Sequence, residues 1–553
     1  MAFTFHHPFE AVPPNQKRVA YCCMEFAIAQ PLKTYAGGLG FLAGSHMRSA
    51  YKLKQALVGI GILWKYGYYT QVRKQDQTMG VLFEEKIYGF LQPTDIRFTI
   101  RVSQHDVWVT AYYLPPEIFG TVPVFLLSTD LPENDYLSRT ISHRLYDANP
   151  ETSIAASILL GTGAAKLLEI LAWEPDVYHL NESHGLPLAF YLYNKYKSAR
   201  LLKSKLVFTN HTPEESGNRK TPIQLLEKMG VFCDIPLTEV KAITQTPGEE
   251  LDHTLAALRL AGLANGVSKM HSQYLQGQYQ GQPGICSIRS ITNAQHWEYW
   301  HYPELYAALA AADDTALLAA KAKAKTALFD EVADQCGEIY NTQVLTLVFA
   351  KRFAGYKRAG LLLQDRDRFH RLVTNPERPL QIIWAGKPYP MDYSAIALFD
   401  QIVHVCKQYP NCAILTGYEL KLSQILKRGA DVWLNTPRVG HEASGTSGMS
   451  AAMNGAMNVS LPDGWFPEFA VDKVNSFVIP ACDASLPEHL QDEADAHSLY
   501  EILEKEVIPM YYDYPASWLS IIKQAMATIA PAFDSERLAR EYYEQLYGGP
   551  PIG

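Results

Sequence analysis

No run of 18 or more apolar residues occurs in this 553-residue chain, and the opening MAFTFHHPFEAVPPNQKR has no cationic start leading into an apolar core. Neither a membrane span nor a secretory leader is therefore expected, and a soluble, cytoplasmic protein is. Long basic stretches are also missing, since 49 lysines and arginines stand against 57 acids for a net charge of −8. Such a chain has no stripe that could follow a phosphate backbone, so nucleic acid is not expected as a partner. Cysteine is sparse. Of eight, only the adjacent Cys22 and Cys23 and the pair Cys406 and Cys412 lie close together, and neither has the spacing of a zinc or redox motif. Buried thiols and no metal are the expectation. Short internal repeats and low-complexity tracts are lacking too. With 48% hydrophobic and 19% charged residues, nothing suggests disorder.

What is present is length and alternation. A chain of 553 residues exceeds what one growing core accommodates, so two lobes of roughly 200 to 300 residues each are expected. A strand signal at residues 18–26 leads through the glycine turn Gly37-Gly38-Leu39-Gly40 into a helix from Leu42 to Leu53. Apolar runs at Val124 to Leu127, Val177 to Leu180 and Leu206 to Thr209 alternate with helical patterns at Ala155 to Leu171 and Leu186 to Tyr196. After an alanine- and lysine-rich helical stretch, Tyr302 to Cys336, a second set follows at Val344 to Ala350, Leu380 to Ala385, Ala413 to Thr416 and Val432 to Asn435. This alternation predicts mainly parallel sheets. The expected division is 1–300 and 301–530, with an amphipathic helix over Arg537 to Tyr547, in residues 531–553, docking back on the first lobe.

Two loops carry the chemistry. Lys351-Arg352-Phe353-Ala354-Gly355-Tyr356-Lys357-Arg358 directly follows an apolar run, where ligands collect in open α/β sheets, and its cations suit an anion such as phosphate. A solvated basic turn is the plainer alternative. His441-Glu442-Ala443-Ser444-Gly445-Thr446-Ser447-Gly448-Met449 follows another run and precedes a small-residue helix, Ala451 to Met457. Its backbone N–H groups and the Thr446 and Ser447 hydroxyls would take a second face of that phosphate. Glu442 reads as a helix cap or as an acceptor for a sugar hydroxyl. His184 and His211 both lie just past apolar runs of the first lobe. A lone histidine is usually structural, while two in similar places raise the case for one facing a ligand, though not a metal without a third ligand.

Taken together and in order, these motifs resemble the α-glucan (glycogen, starch and maltodextrin) phosphorylases, particularly their shorter bacterial branch. The match also includes Met24 to Phe26, Leu180 to His184, Asn265 to Lys269 and Ile291 to Asn293. The resemblance implies an α/β protein of GT-B type, two Rossmann-like lobes with the active site in the cleft between them, and retention of the α configuration. It implies Arg352 and Lys357 as ligands of the substrate phosphate, and Lys351, Gly445 and Thr446 as ligands of a cofactor phosphate. Gly37 and Gly38 match the loop that approaches both. Glu442, Asn293 and His211 match residues around the glucosyl ring. A homodimer is a family expectation.

At one point the chain departs from that family. Where the motif carries the lysine that forms an imine with pyridoxal phosphate, Gly448-Met449 is followed by Ser450, and a hydroxyl cannot form that bond. No covalent cofactor is therefore expected, and neither is pyridoxal phosphate. The expected function is a retaining α-glucosyl transferase acting on an α-1,4-glucan or maltooligosaccharide, with a sugar nucleotide as donor whose diphosphate reuses the anion sites. One alternative is a phosphorylase holding pyridoxal phosphate without a covalent link and producing glucose 1-phosphate from glucan and phosphate. Another is a catalytically silent glucan-binding regulator.

Overall fold

A computed structural model describes residues 3–9, 16–213 and 218–548. The chain falls into two compact units, one of Met1–Tyr69, Phe83–Asn293 and Ser535–Gly553, the other of Thr70–Leu82 and Ala294–Asp534. Thr70–Leu82 lies inside the expected first lobe but belongs to the second unit. It is a hairpin of Thr70–Arg73 against Met79–Leu82, and Gln71 Nε2 donates to the Gly386 carbonyl at 3.0 Å while the Met79 N–H donates to Asp400 Oδ1 at 2.9 Å. The later division falls after Asp534 rather than after residue 530, because the helix Pro515–Phe533 is continuous.

The first unit is built on nine strands in the spatial order Ser287–Ser290, Leu263–Gly266, Leu206–Thr209, Val177–Asn181, Val19–Cys22, Leu57–Ile62, Val124–Ser128, His105–Leu114 and Gln92–Val102. The first seven run parallel, and the last two join antiparallel at one edge. Val19–Cys22, Leu57–Ile62 and Val177–Asn181 are buried at every residue, as strands covered on both faces require. The strand order reverses between Val19–Cys22 and Val177–Asn181, the place where connections part and a crevice opens at the carboxyl ends.

Helix Pro150–Ile170 starts on Asn149, whose side chain accepts the N–H groups of Glu151 and Thr152. It is long and apolar enough to cross a membrane by length and composition, yet 72% of its apolar window is buried inside the protein. Gly161 explains part of that packing, since a Cβ there would lie 2.5 Å from the Leu188 backbone nitrogen. The expected helix at the end of the chain divides into an α-helix, Ser535–Glu541, and a π-helical stretch, Tyr542–Tyr547.

The second unit carries six parallel strands in the order Cys412–Leu415, Leu380–Ala385, Leu345–Ala350, Val432–Asn435, Met457–Ser460 and Phe477–Val478. Helix Asp314–Cys336 lays Leu328, Phe329 and Val332 onto a core that includes Val348, Ile383, Ala413 and Trp433. The expected helix from Ala451 to Met457 is instead Ser447–Ala452, and Met457–Ser460 is a strand. Gly455 at φ 65° turns the chain between them, and Met457 to Ser460 pair in register with Val432 to Asn435. Strand order reverses between Leu345–Ala350 and Val432–Asn435. Two parallel-sheet units of this kind make an α/β fold of GT-B type.

Candidate functional site

In the first unit the glycine turn and both histidine loops leave the carboxyl ends of neighbouring strands. Gly37 precedes helix Gly38–Lys52, which begins earlier than the expected Leu42. Its loop is anchored by Glu25, whose Oε2 accepts the N–H groups of Ala36 at 2.7 Å and Gly37 at 3.0 Å. A Cβ at Gly40 would meet Tyr35 at 2.7 Å, whereas one at Gly37 or Gly38 would meet nothing within 4 Å. Packing thus explains Gly40, and the other two leave backbone bare toward open space.

His184 stands in the turn Ser183–Gly185, and its buried Nδ1 has no hydrogen-bond partner among the described residues. It lines a cavity of ≈ 160 Å³ with Tyr146, Ser183, Arg219 and His253. His211 Nε2 lies 2.6 Å from Asn181 Oδ1. Burial pushes the imidazoles down, His184 to about 4 and His211 to about 3, so both are neutral at neutral pH. Asn293 is buried and its Oδ1 has no hydrogen-bond partner among the described residues.

Glu182 lies within the Leu180 to His184 motif, and nothing in the sequence marks it as a site residue. Its backbone sits at φ 73°, ψ 166°, a conformation a side-chain-bearing residue holds only when its surroundings enforce it. Its Oε1 accepts the His211 N–H at 2.5 Å and its Oε2 the Ser183 N–H at 3.3 Å. Burial raises the carboxyl to about 7. Glu182 therefore links the two histidine loops.

In the second unit the cation loop and the glycine loop leave the adjacent strands Leu345–Ala350 and Val432–Asn435. Lys351 Nζ donates to Asn435 Oδ1 and, at 3.1 Å, to Ser447 Oγ, which also accepts Trp433 Nε1 at 3.3 Å. Lys357 and Glu442 form an ion pair at 12% and 15% side-chain exposure. Glu442 is thus no helix cap; Thr446 occupies that position without a side-chain cap bond. Arg358 turns away from this group and is held by Asp495 and by the Thr436 and Pro437 carbonyls, a structural role. Gly445 takes φ 74°.

The electrostatics follow from burial with too few anions. Burial and then the Lys357 charge lower Lys351 to about 7, with Glu442 opposing. Lys357 moves the other way: burial would lower it, but the Glu442 carboxylate holds it above the lysine range. Glu442 itself is raised by burial and lowered more by Lys357 and Lys351, ending below its ordinary value. Behind it Asp463 Oδ2 accepts the Glu442 N–H at 2.9 Å, and burial lifts Asp463 to about 6. Two buried lysines sharing one carboxylate form a site complementary to a multiply charged anion. Among the described residues no group of three or more His, Cys, Asp or Glu is placed to hold a metal.

Similarity searches point the same way. The carbohydrate phosphorylase family model matches residues 304–501, and the starch synthase catalytic domain model matches residues 36–288. A maltodextrin phosphorylase of Thermococcus litoralis is 33% identical over 97% of this chain and 71% of its own. The chain belongs to the carbohydrate phosphorylase family. A glycogen phosphorylase of Mycobacterium tuberculosis is 27% identical over 96% of this chain and 70% of its own, and an uncharacterised protein of Methanocaldococcus jannaschii is 43% identical over 96% and 100%. This phosphorylase-family chain is a glycosyltransferase-type enzyme.

Pyridoxal phosphate, the cofactor implied by the resemblance, finds half of its site at the expected residues. Lys351 and Ser447 can hold a phosphate. Ser450 is fully buried, and its Oγ donates back to the Thr446 and Ser447 carbonyls at 3.2 and 3.3 Å, so position 450 offers no amine.

Proposed function

We propose that the protein transfers an α-glucosyl unit, with retention, between an α-1,4-glucan or maltooligosaccharide and a phosphate-bearing partner. The observation that carries this reading is the cation group Lys351, Arg352 and Lys357, whose charges all act on the single paired carboxylate Glu442, at the switch point of the second sheet. Arg352 and Lys357 bind the reacting phosphate, and Glu442 orients the Lys357 amine and accepts a sugar hydroxyl. His211, neutral and fixed by Asn181 and Glu182, adds no charge that would oppose a cationic glucosyl centre. The barrier falls through positioning and through pairing of that centre with a phosphate on the same face, which is also what retains configuration. Phosphate oxygen passes the proton to or from the acceptor hydroxyl, so no second carboxylate is required. A pyridoxal phosphate, when bound, supplies a further phosphate as proton partner.

Phosphate and glucose 1-phosphate are the partners favoured by the maltodextrin and glycogen phosphorylase relatives. Ser450 favours a second reading, in which a sugar nucleotide donates and its diphosphate spans Lys351, Lys357 and the Gly445–Ser447 turn. The test is a melting series with phosphate, glucose 1-phosphate and nucleoside diphosphate glucoses, joined to chain-length analysis of a maltooligosaccharide. A ligand at 100 times its Kd stabilises the folded state by about 2.7 kcal/mol. Stabilisation and elongation with glucose 1-phosphate support phosphorolysis, the same pair with a nucleotide sugar supports the second reading, and elongation with neither overturns both.

A further inference from the structure

Helix Leu420–Gly429 carries Lys427 into the interior of the second unit. The side chain is buried, and its Nζ stands 3.7 Å from the centre of the Trp300 ring. The Trp300 carbonyl accepts Asn454 Nδ2 at 2.9 Å, and the same amide donates to the Ser450 carbonyl at 2.7 Å. Lys321 fastens this region from the other side, donating to the Arg428 carbonyl at 2.9 Å and the Asn454 carbonyl at 3.0 Å. Lys427 therefore belongs to the framework that holds Ser450. Its charge also interacts with Lys351: burial first, and then the Lys351 cation, hold the Lys427 amine well below the usual lysine range. A lysine desolvated against an aromatic face and beside another cation loses its proton easily and becomes a nucleophile.

We propose that Lys427 supplies the carbonyl-reactive amine that Ser450 lacks, and that its partner is a phosphate-bearing aromatic aldehyde of the pyridoxal phosphate class. The inference rests on the anion-site reading of Lys351, which takes the phosphate of that aldehyde together with Ser447. The Nζ lone pair attacks the aldehyde carbon and a C–N bond forms. The two amine protons pass to the carbonyl oxygen, which leaves as water, and a C=N bond remains. No oxidant or reductant is consumed. The lost lysine at one helix is thus replaced by one on helix Leu420–Gly429, joined to position 450 through Trp300 and Asn454 and to Lys351 through its charge.

The test uses the whole protein, incubated with pyridoxal 5′-phosphate at a concentration close to that of the protein, reduced with borohydride and peptide-mapped by mass spectrometry. The expected result is a reduced adduct on Lys427, suppressed by excess inorganic phosphate. Lys427→Arg, which keeps charge and approximate length, should abolish it, and Lys427→Arg combined with Ser450→Lys should restore an adduct at position 450. A map with Lys427 unmodified, whether no lysine or only other lysines are labelled, overturns the proposal. The wild-type map decides this even if the variants fail to fold. Phosphate stabilisation of the unlabelled protein separates the two readings: if it persists while Lys427 stays unmodified, only the amine assignment falls, and if it is missing the anion site falls as well.

Discussion

The two ends of the six-stranded sheet use the same chemistry for opposite purposes. At the amino-terminal end Lys325 and Asp431 pair at 2.5 Å with 2% and 6% side-chain exposure, and the remaining valences are filled by the Val344 carbonyl and the Thr346 N–H. At the carboxyl-terminal end Lys357 and Glu442 also pair, but Lys351 and Arg352 stand within the same field and share that one carboxylate. Lys321 also lies in the Asp431 field, but this first arrangement is closed, because backbone carbonyls take both lysine amines. The second is left with surplus positive charge, and that surplus, rather than the ion pair itself, marks the end at which a ligand belongs.

Breaking each pair should show the difference. Asp431→Ala strands a buried ammonium and is expected to cost ~3–5 kcal/mol with or without phosphate, read as a lowered urea midpoint, whereas Glu442→Ala strands cations that a ligand anion can reach, and excess phosphate is expected to return it to within about 1 kcal/mol of wild type. Lys357→Met should leave the melting temperature nearly unchanged yet slow glucosyl transfer by roughly 10²- to 10³-fold, the size of one preorganised donor to developing charge. Equal destabilisation by the first two variants in excess phosphate would erase the contrast.

Lys351 sharpens the comparison through pH. With its folded-state value lowered from 10.5 to about 7, the amine is already charged below pH 7, and above it each bound anion must bring a proton back. Phosphate affinity, followed by calorimetry, should therefore fall by up to about tenfold per pH unit above neutrality, and Lys351→Met should flatten that slope. The same depression makes the contribution of this group to stability rise as pH increases from about 7 towards 10.5. The smallest effect is reserved for Gly445→Ala, where φ 74° makes a side chain cost about 1 kcal/mol, visible as a modest loss of melting temperature.

Much of the fold was legible because its strands are short, continuous apolar runs. Leu206–Thr209, Leu380–Ala385 and Val432–Asn435 have the limits read from sequence. The strand Gln92–Val102 was not read. Its burial alternates residue by residue, the mark of a half-exposed edge, which a reading tuned to continuous runs passes over. The helix expected over Ala451 to Met457 failed for another reason: small residues suit a helix, but sheet register at Met457 overrides local propensity. For the site, the motifs named Lys351, Lys357 and Glu442, but not which of them pair. Lys427 was invisible because Lys-Leu-Ser-Gln-Ile-Leu-Lys-Arg-Gly reads as an amphipathic helix with solvated charges, and only packing against Trp300 shows one of those charges turned inward.

The division of the chain has a consequence for synthesis. The hairpin Thr70–Leu82 belongs to a body whose other residues begin at Ala294, and the first unit includes Ser535–Gly553, made after all of the second. Ser49 Oγ meets Ser535 Oγ at 2.6 Å across 486 positions of sequence, and Gln55 Nε2 reaches the Ala539 carbonyl at 3.1 Å. A nascent chain emerging at ~5–20 residues per second can assemble most of the first sheet early, but it cannot complete that body until the whole of the second unit has been made. Neither half is a contiguous stretch of polypeptide, so no cut at a single peptide bond separates the two bodies.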